Sequence, residues 1–163
     1  MKYKSVTSKE FYDFSHETVL MSFPEQIAKM QNMYKLPNPK VPTLEVGELA
    51  SVRIGKFIRT LNDEISEGSE IQEALLAYEN GEPNEDAKKE LLVDLADWFA
   101  DITIYCASEA MKYGIPLEQV QSVIMASNFS KLGIDGLPTY NSDGKVLKGP
   151  NFQTPEAFIK AIM

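Results

Sequence analysis

The sequence predicts an all-α fold, a four-helix-bundle-like core of antiparallel helices with a loop-rich C-terminal segment. Three observations carry this. Two long segments, 46–78 and 84–113, space their apolar residues at intervals of three and four, the period of a helix face. A short polar loop around Asn80-Gly81 separates them, which makes them antiparallel neighbours. Start and stop signals recur along the chain at the ends of these and of shorter segments.

In chain order, Thr7 and Glu10 have capping-box spacing before "FYDFSHETVLM", a short helix. Ser22 and Pro24 open a second, "PEQIAKMQNMY". Pro37, Pro39 and Pro42 bias their predecessors toward extended geometry, so 36–45 is a connector. From Val46 to about Tyr78 a long helix places Ile54, Phe57, Ile58, Leu61 and Ile65 on one face, with Gly68 as a point of bending or breakage. Asn84 caps the next helix, which runs to Tyr113 and stops at Gly114. Pro116 opens a helix ending near Lys131 to Gly133. "LPTYNSDGKVLKGPNF" is rich in turn formers, with a turn at Asp143-Gly144, and Thr154-Pro155 starts a last helix. No internal repeat interrupts this reading, and residues 1–163 form a single domain.

The 163 residues are 44% hydrophobic and 25% charged, ordinary for a globular protein. A net charge of −8 disfavours nucleic acid, which requires a basic footprint, and anionic membranes. No uncharged apolar run of 18 residues exists, and the N-terminus lacks the apolar stretch of a leader, so a cytoplasmic location is expected. Cys106 is the one cysteine; it permits no intrachain disulfide and reads as core filler. His16 is the one histidine, a surface or capping residue, which excludes a histidine-dependent triad, a zinc site and the E-x-x-H pairs of di-iron bundles. A P-loop is absent.

"LLVDLADWFADITIYCA", residues 91–107, would be a buried helix but for Asp94, Asp97 and Asp101. At 100° per residue these fall within an arc of about 60°, which Glu90 shares. Apolar residues flank this stripe on both sides, and no basic residue interrupts it. A solvated face usually mixes signs; a line of unpaired carboxylates near an apolar surface is costly unless neutralised, and a divalent cation neutralises it economically. The preceding helix carries Glu64 and Glu67 one turn apart. If the hairpin packs through its apolar faces, Glu64, Glu67, Asp94 and Asp97 converge on an oxygen-only site suited to magnesium or manganese.

These residues resemble the all-α nucleoside triphosphate pyrophosphohydrolases, the MazG-like group with the phosphoribosyl-ATP pyrophosphohydrolases and dimeric dUTPases. Their E-E-x-x-E and E-x-x-D helices correspond to Asp63-Glu64-x-x-Glu67 and Asp94-x-x-Asp97, with Asp63 and Asp94 standing where the pattern has glutamate. "ASNFSKLGIDGLPTYNSDGKVLKGPNFQTPE" is similar to an S-N-x-S-K…DGK-x-x-KGP region in several of these proteins. The resemblance covers roughly residues 27–158.

The resemblance implies a Mg²⁺-dependent hydrolase, Mn²⁺ substituting, that cleaves a nucleoside triphosphate between the α and β phosphates to give the monophosphate and pyrophosphate. It implies Glu64, Glu67 and Asp97 as catalytic carboxylates, Asp94 beside them as a metal ligand, and Asp101 as a further acid ranked below Asp97. Glu64 or Glu67 would orient the attacking water. Asn128 and Lys131, one helical turn apart, suit a base or sugar and a phosphate; Lys145 and Lys148, beside Gly144 and Gly149, suit the same anion. Lys56 and Arg59 are weaker candidates. Two long apolar faces in one chain imply a homodimer or higher homo-oligomer. The competing expectations are a narrower dUTPase or phosphoribosyl-ATP pyrophosphohydrolase activity, and a noncatalytic nucleotide- or metal-binding helical module.

Overall fold

Residues 6–163 are described by a computed structural model, and residues 1–5 lie outside the described residues. Six α-helices are formed among the described residues: α1 (Ser8–Val19), α2 (Phe23–Met33), α3 (Ala50–Glu79), α4 (Glu85–Lys112), α5 (Leu117–Phe129) and α6 (Glu156–Ile162). The expected all-α architecture is therefore the observed one. The α3–α4 hairpin is its spine, α2 and α5 pack on α4, and α6 packs on α5.

Local chemistry explains most boundaries. The Thr7 hydroxyl accepts from Glu10 N at 3.2 Å while the Glu10 carboxylate receives Thr7 N at 2.9 Å, the reciprocal box that satisfies two otherwise unpaired donors. Asn84 Oδ1 accepts from Asp86 N and Ala87 N, both at 3.0 Å, and starts α4. Gly114, at φ 65°, ends it: Gly114 N donates to Met111 O at 3.0 Å and Ile115 N to Ala110 O at 3.1 Å. The connector then lies against this terminus, with Thr43 N donating to Tyr113 O at 2.9 Å. A Cβ at Gly114 would meet the Val41 carbonyl, so the close approach and the positive φ both demand glycine.

Two expectations are corrected. The long helix starts at Ala50 rather than Val46; Val46 is buried, but ahead of the helix. Gly68 does not break α3, which is continuous to Glu79. It makes room for the Trp98 indole of α4, whose Nε1 donates to Glu64 O at 2.8 Å. A Cβ there would overlap the ring at Cζ2. Gly68→Ala therefore sets a helix-propensity gain of roughly 1 kcal/mol against an overpacking cost of about 1–3 kcal/mol. The indole is hydrogen-bonded and cannot swing aside without losing that bond, so the cost wins: thermal denaturation is expected to show a lower melting temperature and a changed Trp98 emission.

An unanticipated polar cluster locks the other end of the hairpin. Arg53 of α3 grips Glu109 of α4 through two parallel bonds, Nε to Oε1 at 2.8 Å and Nη2 to Oε2 at 2.6 Å. Lys112 Nζ donates to Glu109 Oε2 at 2.9 Å, and Glu109 and Lys112 are both buried. Burial pushes the Glu109 carboxyl up, but the hydrogen bonds from Arg53 and Lys112 outweigh it and hold the group below the ordinary 4.5. Gln31 of α2, wholly buried, donates from Nε2 to Ser108 O at 2.7 Å and ties α2 to the same region.

The apolar core is small. Ile27, Val46, Ile71, Ala107 and Tyr113 are the buried hydrophobic side chains among the described residues, while Ile54, Ile58, Ile65, Leu92 and Phe99 of the hairpin are exposed. The chain exposes 12162 Å², where a compact monomer of 18.3 kDa exposes roughly 8,100 Å². Cys106 is half-buried at the edge of a groove rather than core filler. His16 stacks on Tyr12 with ring centroids 5.1 Å apart. No helix of the described residues is long and apolar enough to cross a membrane.

Candidate active site

Two contacts set the register of α3 against α4. Trp98 stands across from Gly68, and Glu109 across from Arg53. Between those points Asp101 comes level with Glu64, on whose carboxyl its charge acts. The hairpin thus decides which acid of the α4 stripe faces which acid of α3, a choice that periodicity alone leaves open.

Glu64 is the centre of the arrangement. It is only 8% exposed, and its Oε2 is buried without a hydrogen-bond partner. Burial pushes its carboxyl above 4.5, and the charges of Glu67, Asp101 and Asp63 push it further in the same direction. Tyr105, one turn beyond Asp101, is raised from 10.0 by burial and then by Glu64, Asp101 and Glu67. Glu67 of α3 and Asp101 and Tyr105 of α4 thus lie near enough to interact with the buried Glu64 carboxyl, Glu67 and Tyr105 themselves being exposed. Asp97 is exposed beside Trp98, and Asp94 is half-buried two turns before Asp101.

Among the described residues no three or more His, Cys, Asp or Glu are gathered as a metal cage, so Glu64, Glu67, Asp94 and Asp97 are not drawn to one point. Like charges on neighbouring turns repel and hold their carboxylates apart. The chemistry around Glu64 still fits a hard divalent cation: the neighbouring donors are oxygen only, and the buried carboxylate oxygen has no hydrogen-bond partner. The sequence pointed to Glu64 and Glu67 directly. It ranked Asp101 below Asp97 and passed over Tyr105, whose signal was its position one turn from Asp101 on the stripe.

The second group of candidates does come together. Asn128 and Lys131 at the end of α5, and Lys145 and Lys148 of the C-terminal loop, line one groove of about 770 Å³ with Asn141 and Phe152. Lys131 Nζ donates to Asn128 Oδ1 at 2.6 Å, and Lys148 Nζ lies 4.5 Å from the Phe152 ring centroid. Asn141 organises the turn, its Oδ1 accepting from Asp143 N at 3.0 Å and Lys145 N at 2.8 Å, with Gly144 at φ 75°. Gly149 N donates to Lys131 O at 2.8 Å, and any Cβ there would strike the Leu132 carbonyl, which is why the loop returns to α5 at a glycine. Three ammonium groups in a chain of net charge −8 make this groove the local exception in sign. Of the weaker candidates, Lys56 is engaged by Glu48 at 2.6 Å, and Arg59 is exposed.

Fold and site together describe a helical-hairpin protein with a buried glutamate among acids on α3–α4 and a lysine groove on α5 and the C-terminal loop. No family model matches the chain, and no curated protein matches it.

Proposed function

We propose that the protein is a Mg²⁺-dependent nucleoside triphosphate pyrophosphohydrolase that cleaves the α–β phosphoanhydride. The observation that carries the reading is Glu64: a buried carboxylate with an unpartnered oxygen, ringed by acids, is stabilised only by a cation or a proton. Glu64 and Glu67 would hold the cation with Asp101 from α4, and Asp94 and Asp97 lie on the same stripe to its N-terminal side. When bound, the cation neutralises phosphate oxygens and lowers the pKa of a coordinated water.

The chain's own residues supply the remainder. Either Glu64 or Glu67 would orient the attacking water, the other remaining with the cation. Lys131, Lys145 and Lys148 would bind phosphate oxygens, and Asn128, already oriented by Lys131, would present its amide to sugar or base. Exposed Ile54, Ile58 and Ile65 on α3 and Leu92 and Phe99 on α4 give the hairpin a second apolar face. Two such faces pack against each other in a homodimer, and sedimentation at micromolar concentration is expected to report twice the 18.3 kDa chain mass.

The function is tested by measuring pyrophosphate release over common and modified (d)NTPs with Mg²⁺, Mn²⁺ or EDTA. Release that requires the metal is the expected result, and undiminished release in EDTA overturns the reading. Thermal stabilisation by Mg²⁺ with no hydrolysis of any nucleotide would favour the noncatalytic binding module. Lys131→Ala is expected to raise KM for the nucleotide about tenfold or more, from a lost charge-assisted contact of about 1.5–3 kcal/mol, with metal-induced stabilisation unchanged.

A further inference from the structure

α1 is fully built and covers nothing. It is capped at its start by the Thr7–Glu10 box, yet none of its residues is buried. Its wheel is divided: Lys9, Asp13, Glu17 and His16 lie on one side, and Phe11, Phe14, Ser15, Thr18 and Val19 on the other. Phe14 is 92% exposed, and Phe11, Tyr12 and Val19 are exposed as well. Twelve residues make a marginal helix in water unless an apolar face is covered.

The corner to α2 is pinned by hydrogen bonds, and α1 packs broadly on no other helix of its chain. Gln26 Nε2 donates to Thr18 O at 3.1 Å and to Met21 O at 3.0 Å, and Ser22 N donates to Glu25 Oε2 at 2.7 Å. With the Glu17–Lys29 ion pair at 3.8 Å these bonds engage α1 through Glu17 and Thr18, and its aromatic side chains Phe11 and Phe14 stay exposed. Between α2, α4 and α5 lies an apolar groove of about 550 Å³, lined by Phe23, Ile27, Ile102, Cys106, Met111 and Ile115. A groove of this kind accepts an amphipathic helix through anchors at i, i+3 and i+7, the spacing of Phe11, Phe14 and Thr18.

We infer that α1 is an exchanged arm, its Phe11–Phe14 face seated in the α2–α4–α5 groove of a second copy of this chain. The exposed area favours a second copy over another occupant. The chain shows roughly 4,000 Å² more surface than a compact monomer of its mass, more than the roughly 1,000–2,500 Å² that an obligate homodimer interface takes from each chain. Pairing through the hairpin faces alone leaves both α1 and the groove exposed; reciprocal exchange covers both. The inference rests on the association of two copies, but not on catalysis.

Cys106 in the groove is a built-in reporter. Phe14→Cys in the presence of native Cys106 is oxidised and run without reductant. Phe11→Cys serves as a second probe, Lys9→Cys as the polar-face control, and far-UV helicity confirms that each variant is folded. To read exchange directly, Phe14→Cys/Cys106→Ser is mixed with the wild-type chain, so that a bond between position 14 and Cys106 forms only between chains. The expected result is a covalent heterodimer, joined at position 14 and Cys106 in peptide mapping and at least tenfold more abundant than with Lys9→Cys. An intrachain bond in Phe14→Cys, a bond only between two position-14 thiols, or no bond overturns the inference. So does α1-dependent co-sedimentation with phosphatidylcholine vesicles without cross-linking, which would make a lipid surface the occupant. If sedimentation of the chain lacking residues 1–21 still reports a dimer while the cross-link is absent, hairpin pairing stands and the exchange fails.

Discussion

Glu64→Gln is expected to abolish Mg²⁺-dependent pyrophosphate release, by at least about 10²-fold, and yet to raise the melting temperature of the metal-free protein at neutral pH. The two effects have one cause. In the native chain Glu64 is buried beside Glu67, Asp101 and Asp63, and its carboxyl titrates above the ordinary 4.5. The folded state thus holds that proton more tightly than the unfolded state. The associated stability is complete below the ordinary pKa and is lost as pH rises through the folded one. Glutamine keeps the shape and removes the charge, so the variant should lack this descending limb in a pH series of melting temperatures. Mg²⁺ should stabilise the wild type at pH 7 and leave Glu64→Gln nearly unaffected. Asp101→Asn should lose more activity than Asp97→Asn, because the hairpin register brings Asp101 level with Glu64 and leaves Asp97 exposed. Equal losses, or a larger loss at Asp97, would reverse that order.

The largest loss of stability is expected at the opposite end of the hairpin. Arg53→Ala strips Glu109 of its bidentate partner and leaves a buried carboxylate with Lys112 alone, a change of the class that costs about 3–5 kcal/mol. For a chain of this length that lowers the melting temperature by roughly 10 °C. The exposed pair Lys9–Asp13 at 2.7 Å is the contrast, since its removal should cost under about 1 kcal/mol. The pH dependence has the opposite sign from that at Glu64. Glu109 is held below 4.5, so its contribution is complete above that value and disappears as pH falls through the folded pKa. Acid unfolding of the wild type should accordingly begin at a lower pH than that of Arg53→Ala, as followed by circular dichroism.

What the sequence conveyed well was local. Thr7, Asn84 and Gly114 announce helix ends because capping chemistry involves residues two to four apart, and the Asp143-Gly144 turn is equally short-range. The acidic stripe of α4 was likewise visible as an angular pattern. Axial register was not, because it is set by where Trp98 finds room at Gly68, a contact between residues 30 positions apart that no spacing rule encodes. For that reason Asp101 was ranked beneath Asp97. The Arg53–Glu109–Lys112 cluster was invisible for the same reason: Arg53 and Glu109 are 56 residues apart and look like ordinary surface charges until the hairpin closes. Asn128, Lys131, Lys145 and Lys148 were named through a resemblance, and the fold does bring them to one groove.

On the proposed function, the Glu64 site needs a divalent cation to act on a nucleoside triphosphate. Pyrophosphate release by the wild-type chain and by Glu64→Gln, followed across a Mg²⁺ titration with the responsive (d)NTP, tests it most directly. The expected result is saturable Mg²⁺-dependent release by the wild type and none by the folded variant. Release by Glu64→Gln at the wild-type rate, or by the wild type without metal, would contradict it.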